Sequence, residues 1–148
     1  PALFTEAARQ LGAYFRGEST EFDLELHPAG TPFQKKVWDL LREIPAGTTI
    51  TYAELADRVG NPRAHRAVGA ANGRNPLPII IPCHRVIGSN GRLTGYAGGL
   101  EAKKRLLEIE KLRQGLHVVV PGIARDLAEV LTEPCFSDCI SRYYHFHL

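Results

Sequence analysis

The chain of 148 residues has no apolar run approaching the roughly 18 to 20 residues that a membrane-crossing helix needs. Nor does it open with a basic segment followed by an apolar stretch and a cleavage site, and Pro1 points to a fragment or a processed start. A membrane span and secretion are therefore not expected. Cysteine is scarce: three residues, an odd number and widely scattered, make a poor disulfide framework and suit a reducing compartment. An intracellular location is expected, with cytoplasm and nucleus both open. Internal repeats and low-complexity segments are also missing.

One further lack is local. From Arg58 to Leu100 there is no aspartate or glutamate, while the span holds Arg58, Arg63, Arg66, Arg74, Arg85 and Arg92 together with His65 and His84. The net charge of +2 conceals this one-sided stretch. Such a surface suits a polyanion, because each arginine can neutralise a phosphate and release condensed counterions. The plain alternative is a solvated basic surface balanced by the acidic segments on either side. Apolar content of 44% with 23% charged residues otherwise reads as one globular domain with extensions.

Residues 3–16 carry apolar side chains at helical spacing and stop at Gly17. The stretch TEFDLELHP, Thr20 to Pro28, alternates like a short strand. Thr31 then caps a helix with Pro32 first and Gln34 closing a capping box; Phe33, Val37, Leu40, Leu41 and Ile44 form its buried stripe. A second capping box, Thr51 with Glu54, opens the helix YAELADRV, which Gly60 ends. Asn61 and Pro62 are placed to start the next helix, so the pair reads as a helix-turn-helix. At 100° per residue, Ala64, Ala67, Val68 and Ala71 of that second helix would pack inward, leaving Arg66, Gly69, Ala70 and Gly73 outside. That outer face is almost bare except for one arginine, and a bare face lets a helix approach a groove closely. A small-residue face packed on another helix is the competing reading.

After NPLP, the run Ile79 to Ile81 reads as a short buried strand leading to Cys83. A buried cysteine is often only a small hydrophobe, but His84 and Arg85 bring positive charge beside this one, and nearby cations favour the thiolate. In a strand, adjacent side chains point to opposite faces, so His84 would reach Cys83 only through a bridging water or a turn. In the last helix, about Leu100 to Gln114, Lys103, Leu106, Leu107 and Glu110 share a stripe. A carboxylate on an apolar stripe needs a partner, and an imidazole is a suitable one.

The segment from Gly30 to Gln114, with its helix-turn-helix and PCHRV, closely resembles the C-terminal domain of the O6-alkylguanine-DNA alkyltransferases, the methylated-DNA–protein-cysteine methyltransferases. The fold that this resemblance implies is α+β and mostly helical: a winged-helix-like DNA-binding domain with a helix-turn-helix and a short active-site strand. Residues 30–115 would be the catalytic and DNA-binding domain, residues 1–29 a remnant of the family's N-terminal domain, and residues 116–148 an extension that matches nothing in the family. The implied activity is direct repair, one alkyl group passing from O6-alkylguanine, or O4-alkylthymine, in duplex DNA to Cys83 in a single turnover. His84 would activate Cys83 through water, Glu110 would hold His84, and Tyr52 would donate to the departing guanine. Arg66 would enter the base stack beside Ala67, Gly69 and Ala70, with Asn75 ordering the turn that follows. Val86, Tyr96, Ala97, Gly98 and Lys103 would line the guanine pocket.

The resemblance implies a monomer that meets damaged DNA through the minor groove, with no cofactor and no metal. Cys135, Cys139, His145 and His147 number enough for a zinc ion, but C-x3-C followed by H-x-H lacks the usual spacing. The rival from another class is a module that senses or regulates at alkylated DNA without removing the group. A thiol hydrolase is a weaker third, since no oxyanion-hole motif or orienting asparagine accompanies the Cys-His pair.

Overall fold

The structure, a computed structural model, describes residues 2–96 and 99–115. Ala97 and Gly98 of the expected pocket, and Cys135, Cys139, His145 and His147 of the extension, lie outside the described residues. Among the described residues no helix is long and apolar enough to cross a membrane.

The first helix, α1 (Ala2–Phe15), buries Ala7, Gln10, Leu11, Tyr14 and Phe15 along one face, and Gly17 leaves it with a φ of 71°. The strand expected over Thr20 to Pro28 does not form. Leu24 is buried and its neighbours Asp23 and Glu25 are exposed, but the segment has no sheet partner; instead Gln10 brackets the Asp23 backbone, accepting from its N–H and donating to its C=O. The alternation records one-sided packing on α1.

Helix α2 (Pro32–Arg42) begins as its sequence requires, with Thr31 and Gln34 exchanging side-chain and backbone bonds. Val37, Trp38 and Leu41 face the core, as does Ile44 just past the helix end, while Phe33 and Leu40 are half-buried. Gly30 matters here because a Cβ on it would fall 2.6 Å from the Trp38 ring. Trp38 Nε1 in turn donates to Ala71 O at 2.9 Å, tying α2 to the second helix of the helix-turn-helix.

Strand β1 (Ile50–Thr51) leads directly into α3 (Tyr52–Val59), which has the second capping box and a left-handed Gly60 at its end. The next helix, α4 (His65–Gly73), starts later than Asn61 and Pro62 suggest. The Asn61 side chain accepts from Arg63 N at 3.1 Å, and its carbonyl from Ala64 N, so it closes a turn and the helix begins without a side-chain cap. Helices α2, α3 and α4 pack on one another and enclose Leu55, Ala56 and Val68.

The α+β class and the helix-turn-helix stand, but the short strand beside the active site is displaced. Ile79–Ile81 form no strand beyond an isolated bridge from Pro78 to Ile81; β2 is Val86–Ile87, parallel to β1 with Ile50 opposite Val86. Pro78 and Pro82 offer no N–H to a ladder, and Ile79 takes a left-handed φ of 76°. Helix α5 (Leu100–Gly115) closes the described chain, packing Lys103, Leu106, Ile109 and Glu110 inward.

Candidate active site

Cys83, His84 and Arg85 form a single 3-10 turn between Pro82 and β2. With three residues per turn their side chains fan out in three directions, so the turn that a Cys-His relay needs is supplied by the backbone itself. Asn75 holds the approach to that turn: its amide donates to Ile81 O at 2.6 Å and its carbonyl accepts from Leu77 N at 2.9 Å. Being buried, Asn75 orders the segment from inside and is not part of an exposed DNA surface. Asn72 of α4 donates to Cys83 O at 3.3 Å, which ties that helix to the thiol's own residue.

His84 is fully buried, with Nε2 2.6 Å from Glu110 Oε1. Burial pushes the imidazole pKa down; Glu110 opposes this by its hydrogen bond and charge, and the Arg85 and Lys103 charges reinforce it. The neutral ring is thereby favoured. With the carboxylate as acceptor the proton is assigned to Nε2, which leaves Nδ1 as a lone pair with no protein partner among the described residues.

Burial alone would raise the Glu110 pKa, but the bonds from His84 and Arg85 outweigh it and hold the carboxyl well below the usual carboxylate range. Arg85 Nε lies 3.0 Å from Oε2 and Nη2 2.8 Å from Oε1, while Nη1 reaches Ile44 O at 2.6 Å. Such pairing makes burial of both charges tolerable. It also corrects the sequence reading in one respect. Arg85 is buried and committed to Glu110, whereas Arg58, Arg63, Arg66, Arg74 and Arg92 are exposed, so five of the six arginines remain for a polyanion.

Lys103 is buried as well, its Nζ on Val86 O at 2.6 Å and Thr94 O at 2.8 Å. Burial lowers its pKa and the nearby Cys83 opposes that shift, so the ammonium stands in electrostatic reach of the thiol. Val86 is buried and Tyr96 half-buried against the core. The Tyr52 hydroxyl meets Thr94 O at 3.4 Å, which aims it at the same loop that Lys103 holds.

On α4, Val68, Ala71 and Asn72 are buried, and Arg66, Ala70 and Gly73 are exposed as expected. Ala67 and Gly69 exchange their expected places: Ala67 is exposed and Gly69 half-buried. Each lies about 100° from Val68, on opposite flanks, and the Tyr52 ring covers the Gly69 flank, 3.9 Å from where a Cβ would sit. The exposed face is thus Arg66, Ala67, Ala70 and Gly73. Sequence reasoning missed Asn72 and Tyr14, the latter donating to Glu110 Oε1 at 2.8 Å. The signal available was a polar group on an otherwise apolar helix face, which always raises the question of its partner.

Residues 32–112 match the family described as the 6-O-methylguanine DNA methyltransferase, DNA binding domain. A methylated-DNA–protein-cysteine methyltransferase of Methanosarcina acetivorans is 63% identical over 108 residues, which is 73% of this chain and 69% of that one. The crystal structure of Mycobacterium tuberculosis OGT in complex with DNA superposes with a TM-score of 0.72 at 59% identity, covering 74% of this chain and 68% of that one. The S. pombe Atl1 complex with damaged DNA containing O6-carboxymethylguanine gives a TM-score of 0.50 at 36% identity, covering 56% of this chain and 79% of that one.

Proposed function

Because the chain belongs to the 6-O-methylguanine DNA methyltransferase family, we propose that it repairs DNA by taking the alkyl group of an O6-alkylguanine onto its own Cys83. The observation that carries this assignment of the acceptor is the buried 3-10 turn in which His84, beside Cys83, is fixed on Glu110 at 2.6 Å with Nδ1 left as a base. In the reaction the Cys83 thiol gives its proton to His84 Nδ1 by way of a water. The thiolate then attacks the alkyl carbon, a sulfur–carbon bond forms, and the carbon–O6 bond breaks. The departing guanine takes up the proton that His84 had accepted, passed through solvent and the Tyr52 hydroxyl. The thioether that remains resists hydrolysis, and each protein molecule acts once.

An alkyl group on O6 cannot be reached inside a duplex, so the nucleotide has to be extruded at a cost of a few kcal/mol. The exposed face of α4 suits entry into the minor groove, with Arg66 filling the space the base leaves. Residues 30–115 act as the repair module, preceded by residues 1–29 from the family's N-terminal domain, and the working form is an intracellular monomer without a cofactor or metal.

Intact-mass spectrometry after incubation with an O6-methylguanine oligonucleotide tests the reading. One methyl group per molecule is expected, mapped to Cys83, with none on Cys83→Ser. Product formed beyond one equivalent would overturn the mechanism, and DNA binding without a mass change would point instead to a lesion-sensing module.

A further inference from the structure

Three donors converge on Glu110 Oε1, and only two of them belong to the Cys-His-Arg turn. His84 Nε2 lies at 2.6 Å and Arg85 Nη2 at 2.8 Å; the third is the Tyr14 hydroxyl at 2.8 Å, brought from α1 across 96 positions of sequence. Tyr14 is 1% exposed, its ring set edge-on to Phe15 and tilted against Phe22. The hydroxyl is therefore delivered by rigid packing to the oxygen that receives the His84 proton donor.

Donors on one carboxylate oxygen compete for its charge. The more of it that Tyr14 engages, the less is available to stabilise an imidazolium at His84. We propose that Tyr14 is a positioning residue of the alkyl-transfer reaction: its hydrogen bond to Glu110 Oε1 restrains the carboxylate from drawing a second proton onto His84, and so keeps Nδ1 free to accept the Cys83 proton. The inference rests on the reading of His84 as the base.

The other groups facing this centre act alongside Tyr14. Arg85, on the same turn as His84, bonds both carboxylate oxygens; Gly47 N, after α2, reaches Oε2 at 3.4 Å; and Lys103, on α5, adds a positive charge that disfavours a protonated His84. All of these stay in place when only the Tyr14 hydroxyl is changed.

The test compares single-turnover alkylation of Cys83 from about pH 5 to about pH 8 with an NMR titration of the His84 ring in the same protein. In the wild type the acid limb of the rate and the His84 midpoint should coincide; a clear mismatch would defeat His84 as the base, whatever Tyr14 does. In Tyr14→Phe both midpoints should move up by roughly one pH unit, which slows the reaction about tenfold on the acid side and leaves the alkaline plateau alone. Site-specific 3,5-difluorotyrosine at position 14, a stronger donor with the ring retained, should move both midpoints down, and it decides the matter should Tyr14→Phe not fold. His84 midpoints that stay fixed in the folded variants, or that move in the opposite directions, would overturn the role of Tyr14. A loss of rate equal at every pH would reduce Tyr14 to a packing residue.

Discussion

Lys103 Nζ lies 2.6 Å from Val86 O in the interior and spans to Thr94 O at 2.8 Å, with no carboxylate on it among the described residues. A buried ammonium held by carbonyl dipoles keeps its field for its surroundings, and the Cys83 sulfur and the His84 ring both lie within reach of that field.

Lys103→Met retains the length of the side chain and removes that charge. Labelling of Cys83 in the folded protein by iodoacetamide should slow on the order of tenfold, which corresponds to about 1.4 kcal/mol of lost electrostatic help. The loop carrying Thr94 should also exchange its amide protons faster. An unchanged labelling rate would confine Lys103 to bridging β2 and that loop.

Arg66→Ala should weaken repair of duplex DNA far more than reaction with the free base analogue O6-benzylguanine. Arg66 is the long side chain on an α4 face otherwise formed by Ala67, Ala70 and Gly73, and it is not among the donors that hold Glu110. Holding a base stack open matters only when there is a stack. Equal losses on both substrates would remove Arg66 from that task.

Glu110→Gln leaves the Arg85 guanidinium buried without a counter-charge, and a broken buried pair costs about 3–5 kcal/mol. The variant should melt at a markedly lower temperature and alkylate slowly at temperatures where it is still folded. Duplex binding should persist there, because the exposed arginines are untouched. A normal single-turnover rate in the folded variant would make Glu110 purely structural.

Stability should fall with acid in two stages. The folded His84 pKa is depressed below 6.5, so the unfolded chain binds the proton more readily below that value. The contribution of neutral His84 is therefore complete above 6.5 and is lost as pH falls from there through the lower folded value. Glu110, likewise depressed, contributes fully above 4.5 and loses its share only in stronger acid. Urea unfolding at about pH 7.5 and about pH 5.5 should show the first stage, and His84→Gln should abolish the difference between those two conditions.

Much of the helical frame was legible because its signals are local. Both capping boxes, Gly60 and the paired helices needed only the residues present in each segment. The Ile79–Ile81 run misled because β-branched residues favour a strand wherever a ladder is available, and here the Asn75 amide takes the Ile81 carbonyl while Ile79 has a left-handed φ of 76°. Asn61 misled similarly, since a capping residue serves a turn as readily as a helix start. At the site, Cys83, His84 and Glu110 could be read from residue type and helix periodicity. Arg85 could not, because its position next to the thiol suggested a partner that its actual reach to Glu110 and Ile44 denies it. Tyr14 lies 96 positions from its partner, a separation at which pattern along the chain carries no information.

A single carboxylate, Glu110, joins α1, the bend after α2, the Cys83–Arg85 turn and α5. For anyone mutating or evolving this protein, that convergence means epistasis. The effect of altering Tyr14, His84 or Arg85 depends on which of the others is still present, since the carboxylate redistributes itself among whatever donors remain. Substitutions there will not add. A library that randomises these positions one at a time will misjudge combinations, whereas exchanges on the exposed face of α4 can be scored independently of them.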